Sequence, residues 1–103
     1  MDKLLANLGL CRKAGKLICG FDAAVEAMEN GEGYLLLIAS DISPKTEKEI
    51  IYKAKSANFC VYKLPYTMAD MELLSKKRVG IFAITDENLA KLIEKAFVNT
   101  PKD

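Results

Sequence analysis

The chain contains no histidine and no tryptophan, and only three cysteines and three prolines. Without histidine it lacks the one side chain whose ordinary pKa lies near neutrality, so serine–histidine and cysteine–histidine hydrolytic sites have no proton carrier. No Gly-x-Ser-x-Gly elbow and no Gly-x-x-x-x-Gly-Lys-Ser/Thr phosphate loop is present, and Gly31-Glu-Gly33 is a lone Gly-x-Gly that turn chemistry explains. A small enzyme working from a strand-end pocket is therefore the weakest reading, and neither catalytic residues nor a cofactor are expected. Cys11, Cys19 and Cys60 are widely spaced, form no Cys-x-x-Cys pair and have no histidine to complete a zinc site. No metal centre is expected, and the three read as buried free thiols of a reducing compartment.

Long apolar runs are also missing: none approaches the roughly 18 residues of a membrane span. The opening Met1-Asp-Lys-Leu-Leu-Ala-Asn has an acid where a secretory signal wants bases, so a soluble, cytoplasmic protein is expected. Nor is there an excess of charge. Fifteen basic side chains face fourteen acidic ones, a net +1, which argues against binding polyanions through overall charge. Any nucleic-acid site has to be a local patch.

What is present suits one domain. The chain has 103 residues, half of them apolar, enough for a single core. Residues 1–98 are expected to form that domain and 99–103 a frayed tail. Leu4, Leu5, Leu8, Cys11 and Ala14 recur at helical spacing, with Lys3, Asn7, Arg12 and Lys13 on the outer side, and Gly15 stops the helix. Lys16 to Cys19 reads as a short strand, and Phe21 to Asn30 as a helix ended at Gly31. Tyr34 to Ala39 is apolar without alternation, the mark of a strand covered on both faces. Ser43-Pro44 starts an amphipathic helix running to Ala57. Phe59 to Leu64 reads as a strand, Thr67 as the cap of a helix over Met68 to Leu74, and Ser75-Lys-Lys-Arg78 as a basic loop. Val79 to Ile84 is another long apolar strand, and Asp86 caps a last helix from Glu87 to Phe97. This alternation predicts a three-layer α/β/α domain whose strands need not all be parallel. Asp41 and Asp86 sit at strand ends, where open sheets bind ligands, yet helix starts follow both and capping accounts for them.

One stretch points to a ligand. Leu8-Gly-Leu-Cys-Arg-Lys-Ala-Gly-Lys16 ends one helix with positive charge, and Gly20-Phe-Asp22 opens the next. A helix N-terminus offers unpaired N–H groups and the positive end of its dipole, which suits phosphate. Arg12, Lys13 and Lys16 flank it, and the Ser75, Lys76, Lys77, Arg78 loop leads into a strand of the same sheet. The same cations would also serve as a solvated face, or as compensation for the dipole of the first helix. Asp22, Glu26 and Glu29 place acid on the second helix; a carboxylate can accept from a base amino group but cannot hold a phosphate.

Leu8-Gly-Leu-Cys-Arg-Lys-Ala-Gly-Lys-Leu17, the helix from Gly20 to Gly31, Leu36-Leu-Ile-Ala-Ser-Asp41 and Phe82-Ala-Ile-Thr-Asp86 resemble the ribosomal L7Ae/L30e family of kink-turn RNA-binding proteins, and within it the small bacterial YlxQ-type members. The resemblance implies an α/β/α sandwich around a four-stranded mixed sheet. It implies RNA bound at the start of the second helix and by the loop before the last strand, with no enzymatic activity. In the family that helix opens with glycine, a small or polar residue, asparagine or an acid, and glutamate, with lysine three residues later; here these positions are Gly20, Phe21, Asp22, Ala23 and Glu26. Ala23 has no acceptor for a guanine edge, and Glu26 puts an anion where relatives carry a cation. Met71-Glu72 stands where bacterial relatives tend to show leucine and glycine. The expected function is a ribosome-associated protein binding structured RNA through Arg12, Lys13, Lys16, Gly20, Phe21, Asp22, Glu26, Ser75, Lys76, Lys77 and Arg78, with ribosomal proteins as further partners. The rival is a protein-interaction module of the same fold that has lost RNA, using Phe21 as an exposed apolar anchor.

Overall fold

The computed structural model describes residues 3–98, and the expected frayed tail at 99–103 lies outside them. Among the described residues nine elements alternate: α1 (Lys3–Lys13), β1 (Leu17–Cys19), α2 (Phe21–Glu29), β2 (Leu35–Ile38), α3 (Pro44–Ser56), β3 (Val61–Lys63), α4 (Met68–Ser75), β4 (Ile81–Ile84) and α5 (Glu87–Val98). The strands form one mixed sheet in the order β1-β4-β2-β3, with β4 antiparallel to both neighbours and β3 parallel to β2. Unalternated apolar runs become the two central strands, buried at every position. Their side chains divide by parity. Leu35, Leu37, Phe82 and Ile84 meet α1, α4 and α5 on one face, while Leu36, Ile38, Ile81 and Ala83 meet α2 and α3 on the other. The result is the expected α/β/α arrangement around a mixed four-stranded sheet.

Local chemistry sets the element ends. The Ser43 side chain accepts from the Thr46 N–H at the start of α3, with Pro44 at the first helical position. Thr67 and Asp70 form a reciprocal capping box on α4, whose Met68 N–H is also bound by Asp41 Oδ1 at 2.8 Å. Asp86 Oδ2 accepts from the Leu89 N–H of α5 at 2.9 Å. Both strand-end aspartates are therefore occupied as caps.

Several sequence expectations are corrected. β3 covers only Val61–Lys63, because Asn58 turns left-handed and the Phe59 N–H is spent closing α3 on the Ala54 carbonyl. Ala14 is exposed, whereas Asn7 is buried in α1 with its Nδ2 unpaired. Of the thiols, Cys11 is buried, Cys19 half-buried and Cys60 exposed. Burial, reinforced by the Asp86 charge, pushes the Cys11 thiol up to about 11.

Gly80 shows why no side chain is tolerated between α4 and β4: a Cβ there would stand 2.1 Å from Ile42 Cγ2 and 3.3 Å from Met68 Cγ and Sδ. Ile42 is buried and branched at Cβ, so the clashing methyl belongs to a side chain stiff at χ1 rather than to the free end of a flexible one. Gly80→Ala is expected to destabilise the fold by about 1–3 kcal/mol, the usual cost of overpacking. An unchanged urea midpoint would show that Ile42 yields freely.

Candidate nucleic-acid interface

Among the described residues β1 is an edge strand, bonded to β4, and at its end the chain turns sharply into α2. Gly20 makes that turn. Its N–H still pairs with the Ile81 carbonyl at 2.8 Å, its carbonyl already accepts from the Ala24 N–H, and its φ of 111° with ψ of 151° is a conformation open essentially to glycine alone. With no side chain at Gly20 to cap the helix, the N–H groups of Phe21, Asp22 and Ala23 have no capping acceptor among the described residues. The positive end of α2 is thus left facing outward.

Beside it lies an open hollow of about 460 Å³ lined by Arg12, Leu17, Ile18, Cys19, Ala23, Ser75 and Lys77. The consecutive last turn of α1, strand β1 and first turn of α2 meet here with the end of α4 and the turn after it, more than fifty residues further along the chain. The Cys19 thiol registers the convergence, since burial raises its pKa while the charges of Lys77 and Arg12 both act to lower it.

The turn after α4 is held by its own backbone. Lys76 is left-handed at φ 65°, its N–H on the Glu72 carbonyl, and the Val79 N–H bonds the Lys77 carbonyl at 3.1 Å. Ser75 belongs to the last turn of α4 and is buried. Its hydroxyl lies 3.0 Å from the Met71 carbonyl and 2.8 Å from the Lys77 carbonyl, and accepts from the Lys77 N–H at 3.3 Å. This contrasts with the expectation of an exposed loop residue: Ser75 pins the turn that presents Lys77. Arg78 is also engaged, its Nε on Glu72 Oε1 at 2.9 Å. Both partners are substantially exposed, so the pair contributes roughly 0–1 kcal/mol while spending part of Arg78's charge. Lys76 and Lys77 enter no ion pair among the described residues.

Other expected residues fall elsewhere. Lys16 lies at the far end of β1 from Gly20, roughly 13 Å away along an extended strand, with its carbonyl accepting from the Thr85 N–H. It does not share the small surface at the start of α2 that the sequence suggested. Lys13 is exposed but does not line the hollow. Asp22 and Glu26 are exposed, Glu26 about 6 Å further along the axis. Phe21 is half-buried against the core of the α2/α3 face rather than an exposed anchor. It lines a second, smaller hollow of about 330 Å³ with Ile42, Ser43, Thr46 and Met68. Cys19 is not singled out by the sequence as part of this surface, and Glu72 stands out there only as a departure from the family pattern, not as the partner of Arg78.

The model of the Ribosomal protein L7Ae/L30e/S12e/Gadd45 family matches residues 2–100. The chain belongs to that family. Within it, a large ribosomal subunit protein eL30 of Aeropyrum pernix is 29% identical over 86 residues, covering 82% of this chain and 86% of that protein. The RNA-binding protein YlxQ of Bacillus subtilis is 29% identical over 92 residues, covering 84% and 87%. Equal identity to an archaeal eL30 and a bacterial YlxQ places the chain in the L7Ae/L30e/S12e/Gadd45 family without singling out the YlxQ-type members. A solved structure of a protein of unknown function from Bacillus halodurans superposes with a TM-score of 0.87 at 22% identity, covering 96% of this chain and all of that one, and shares its fold. Among the described residues no group of three histidine, cysteine, aspartate or glutamate side chains could hold a metal ion, and no helix is long and apolar enough to cross a membrane.

Proposed function

We propose that the protein is a non-enzymatic, cytoplasmic, ribosome-associated RNA-binding protein that takes structured RNA of the kink-turn type at the hollow between α2 and the turn after α4. The observation that carries this reading is the meeting of Arg12 and Lys77, from distant parts of a nearly neutral chain, beside the uncapped N-terminus of α2. A phosphate there receives N–H groups from the first turn of α2 and charge from two sides. Asp22 accepts from a base amino group, and the face of Phe21 stacks on an unpaired base. Lys76, Arg78, Lys13 and Lys16 supply longer-range attraction, and Gly20 and Ser75 hold the geometry. The names of the relatives agree: one is a ribosomal protein and the other an RNA-binding protein. Glu26 and Glu29 oppose it: Glu29, about 10 Å beyond Asp22 along the helix, is blunted by screening over roughly 8–10 Å, whereas Glu26, about 6 Å beyond, stays within that range and weakens the site.

The cysteines provide a built-in footprint. In the free protein at mild alkaline pH, maleimide is expected to modify exposed Cys60 fastest, half-buried Cys19 more slowly, and Cys11, with its thiol near 11, scarcely at all. A saturating kink-turn RNA hairpin should slow Cys19 by about tenfold or more and leave Cys60 unchanged, because only Cys19 lines the hollow. Bound RNA that left Cys19 as reactive as before would place the interface elsewhere.

A further inference from the structure

α3 carries a surface that neither the core nor the hollow uses. Its buried residues are Ile50 and Ala54, and helical periodicity puts Lys45, Lys48, Tyr52 and Lys55 on the opposite, outward side. All four are exposed, Tyr52 at 74%, and the Tyr52 hydroxyl has no hydrogen-bond partner among the described residues. None of the three lysines enters an ion pair there, and the nearby Glu47 is turned aside to Lys63 at 3.6 Å. The outward stripe is therefore three cations around one exposed ring, with a single exposed carboxylate, Glu49, on its border one turn after Lys45 and in no ion pair among the described residues. Helix stability explains Lys55, near the C-terminus, but not Lys45, which sits in the first turn against the dipole.

The stripe also begins in a telling place. Ser43 and Thr46, at the start of α3, line the smaller hollow together with Phe21, the first residue of α2. From there the stripe runs about 15 Å along the axis from Lys45 to Lys55. α2 packs beside α3 and turns Asp22, Glu26 and Glu29 outward, so a polyanion leaving the start of α2 is held off that helix and onto α3.

We propose that α3 is a second RNA contact continuous with the first: a single-stranded extension of the structured RNA runs along it, its phosphates on Lys45, Lys48 and Lys55 and a base stacked on Tyr52. Aromatic stacking and lysine contacts of this kind tolerate any base, so the stripe adds affinity without sequence preference. This inference rests on the RNA reading of the hollow and is separable from it. The test uses the full chain with two probes, a kink-turn RNA hairpin and the same hairpin carrying a ten-nucleotide oligouridine extension on either strand. The extension is expected to tighten binding to the parent by about tenfold at low salt and to steepen its salt dependence by about two, some 0.7 per single-strand phosphate. The triple variant Lys45→Gln, Lys48→Gln, Lys55→Gln, in which glutamine preserves helix propensity, should keep parental affinity for the plain hairpin and lose the gain from the extension. Tyr52→Ala should lose part of it. An extension that adds nothing, or a gain that survives the triple variant, overturns the α3 proposal while leaving the hollow intact; a parent that binds neither probe overturns the RNA reading itself. A salt-sensitive dimer of the free protein abolished by the same lysine changes would assign the stripe to a second copy of the chain and overturn the proposal in that way.

Discussion

Reversing both cations that face the hollow, Arg12→Glu with Lys77→Glu, is expected to weaken binding of a kink-turn RNA by roughly a hundredfold at moderate salt. Each loses a charge-assisted contact and gains a repulsion, and about 1–1.5 kcal/mol apiece is a conservative allowance for a partly exposed phosphate pair. The salt dependence should flatten by about two, near 0.9 per lost phosphate contact. Reversal at Lys13, which does not line the hollow, is expected to act through distance alone and cost severalfold less. Arg12 lies in the last turn of α1, where losing a cation costs only about 0.3–1 kcal/mol, so the double variant should remain folded by circular dichroism. Parental affinity in the folded double variant would mean that the two side chains meet at the hollow for no reason connected with RNA.

The second large effect runs in the opposite direction. Ala23 lines the hollow and Glu26 sits about one turn further along α2, and these are the positions where this helix departs from the pattern its family resemblance implies. The double variant Ala23→Glu, Glu26→Lys supplies an acceptor directed at the hollow and converts a repulsive charge into an attractive one. Each change is expected to contribute roughly 1–3 kcal/mol at a nucleic-acid edge, so a gain in kink-turn affinity of at least tenfold should appear in filter binding or calorimetry. The helix should survive, since both new residues favour it and a lysine at 26 lies four residues after Asp22, well placed for a favourable pair. No gain in the folded double variant would remove α2 as a kink-turn reader and favour the interaction-module alternative.

The fold was legible because its signals are local and redundant. Two unalternated apolar runs became the buried central strands, and Ser43-Pro44, Thr67 and Asp86 sit at the helix starts they were expected to mark. Strand ends were less legible. Phe59 looks like strand by propensity, but its N–H closes α3 behind a left-handed Asn58: the asparagine marks the helix end in the sequence, whereas the further residue spent on closing it does not show. The site was legible in its parts rather than in its assembly. Gly20 and the two basic segments stood out, whereas which cations share a surface depends on strand direction: Lys16 and Gly20 are four residues apart and sit at opposite ends of β1, while Arg12 and Lys77 line one hollow. Ser75 reads as a loop hydroxyl in the sequence, whereas helix membership and burial, both tertiary outcomes, make it a brace. The Arg78 pair with Glu72 spans six residues across a helix end, outside the spacings of three or four from which side-chain pairing is read.

The most direct test is a titration of the isotopically labelled full chain with a kink-turn RNA hairpin, following backbone amide resonances. Binding at the hollow predicts the largest shifts at Gly20, Phe21, Asp22 and Ala23 and at Lys76 to Arg78, with the Cys19 amide among them and the Asn88–Lys95 stretch of α5 unmoved. Shifts confined to α5 and β3, where Tyr62, Asn88 and Lys91 line a separate hollow of about 660 Å³, or saturation without movement at Gly20–Ala23, would contradict the account.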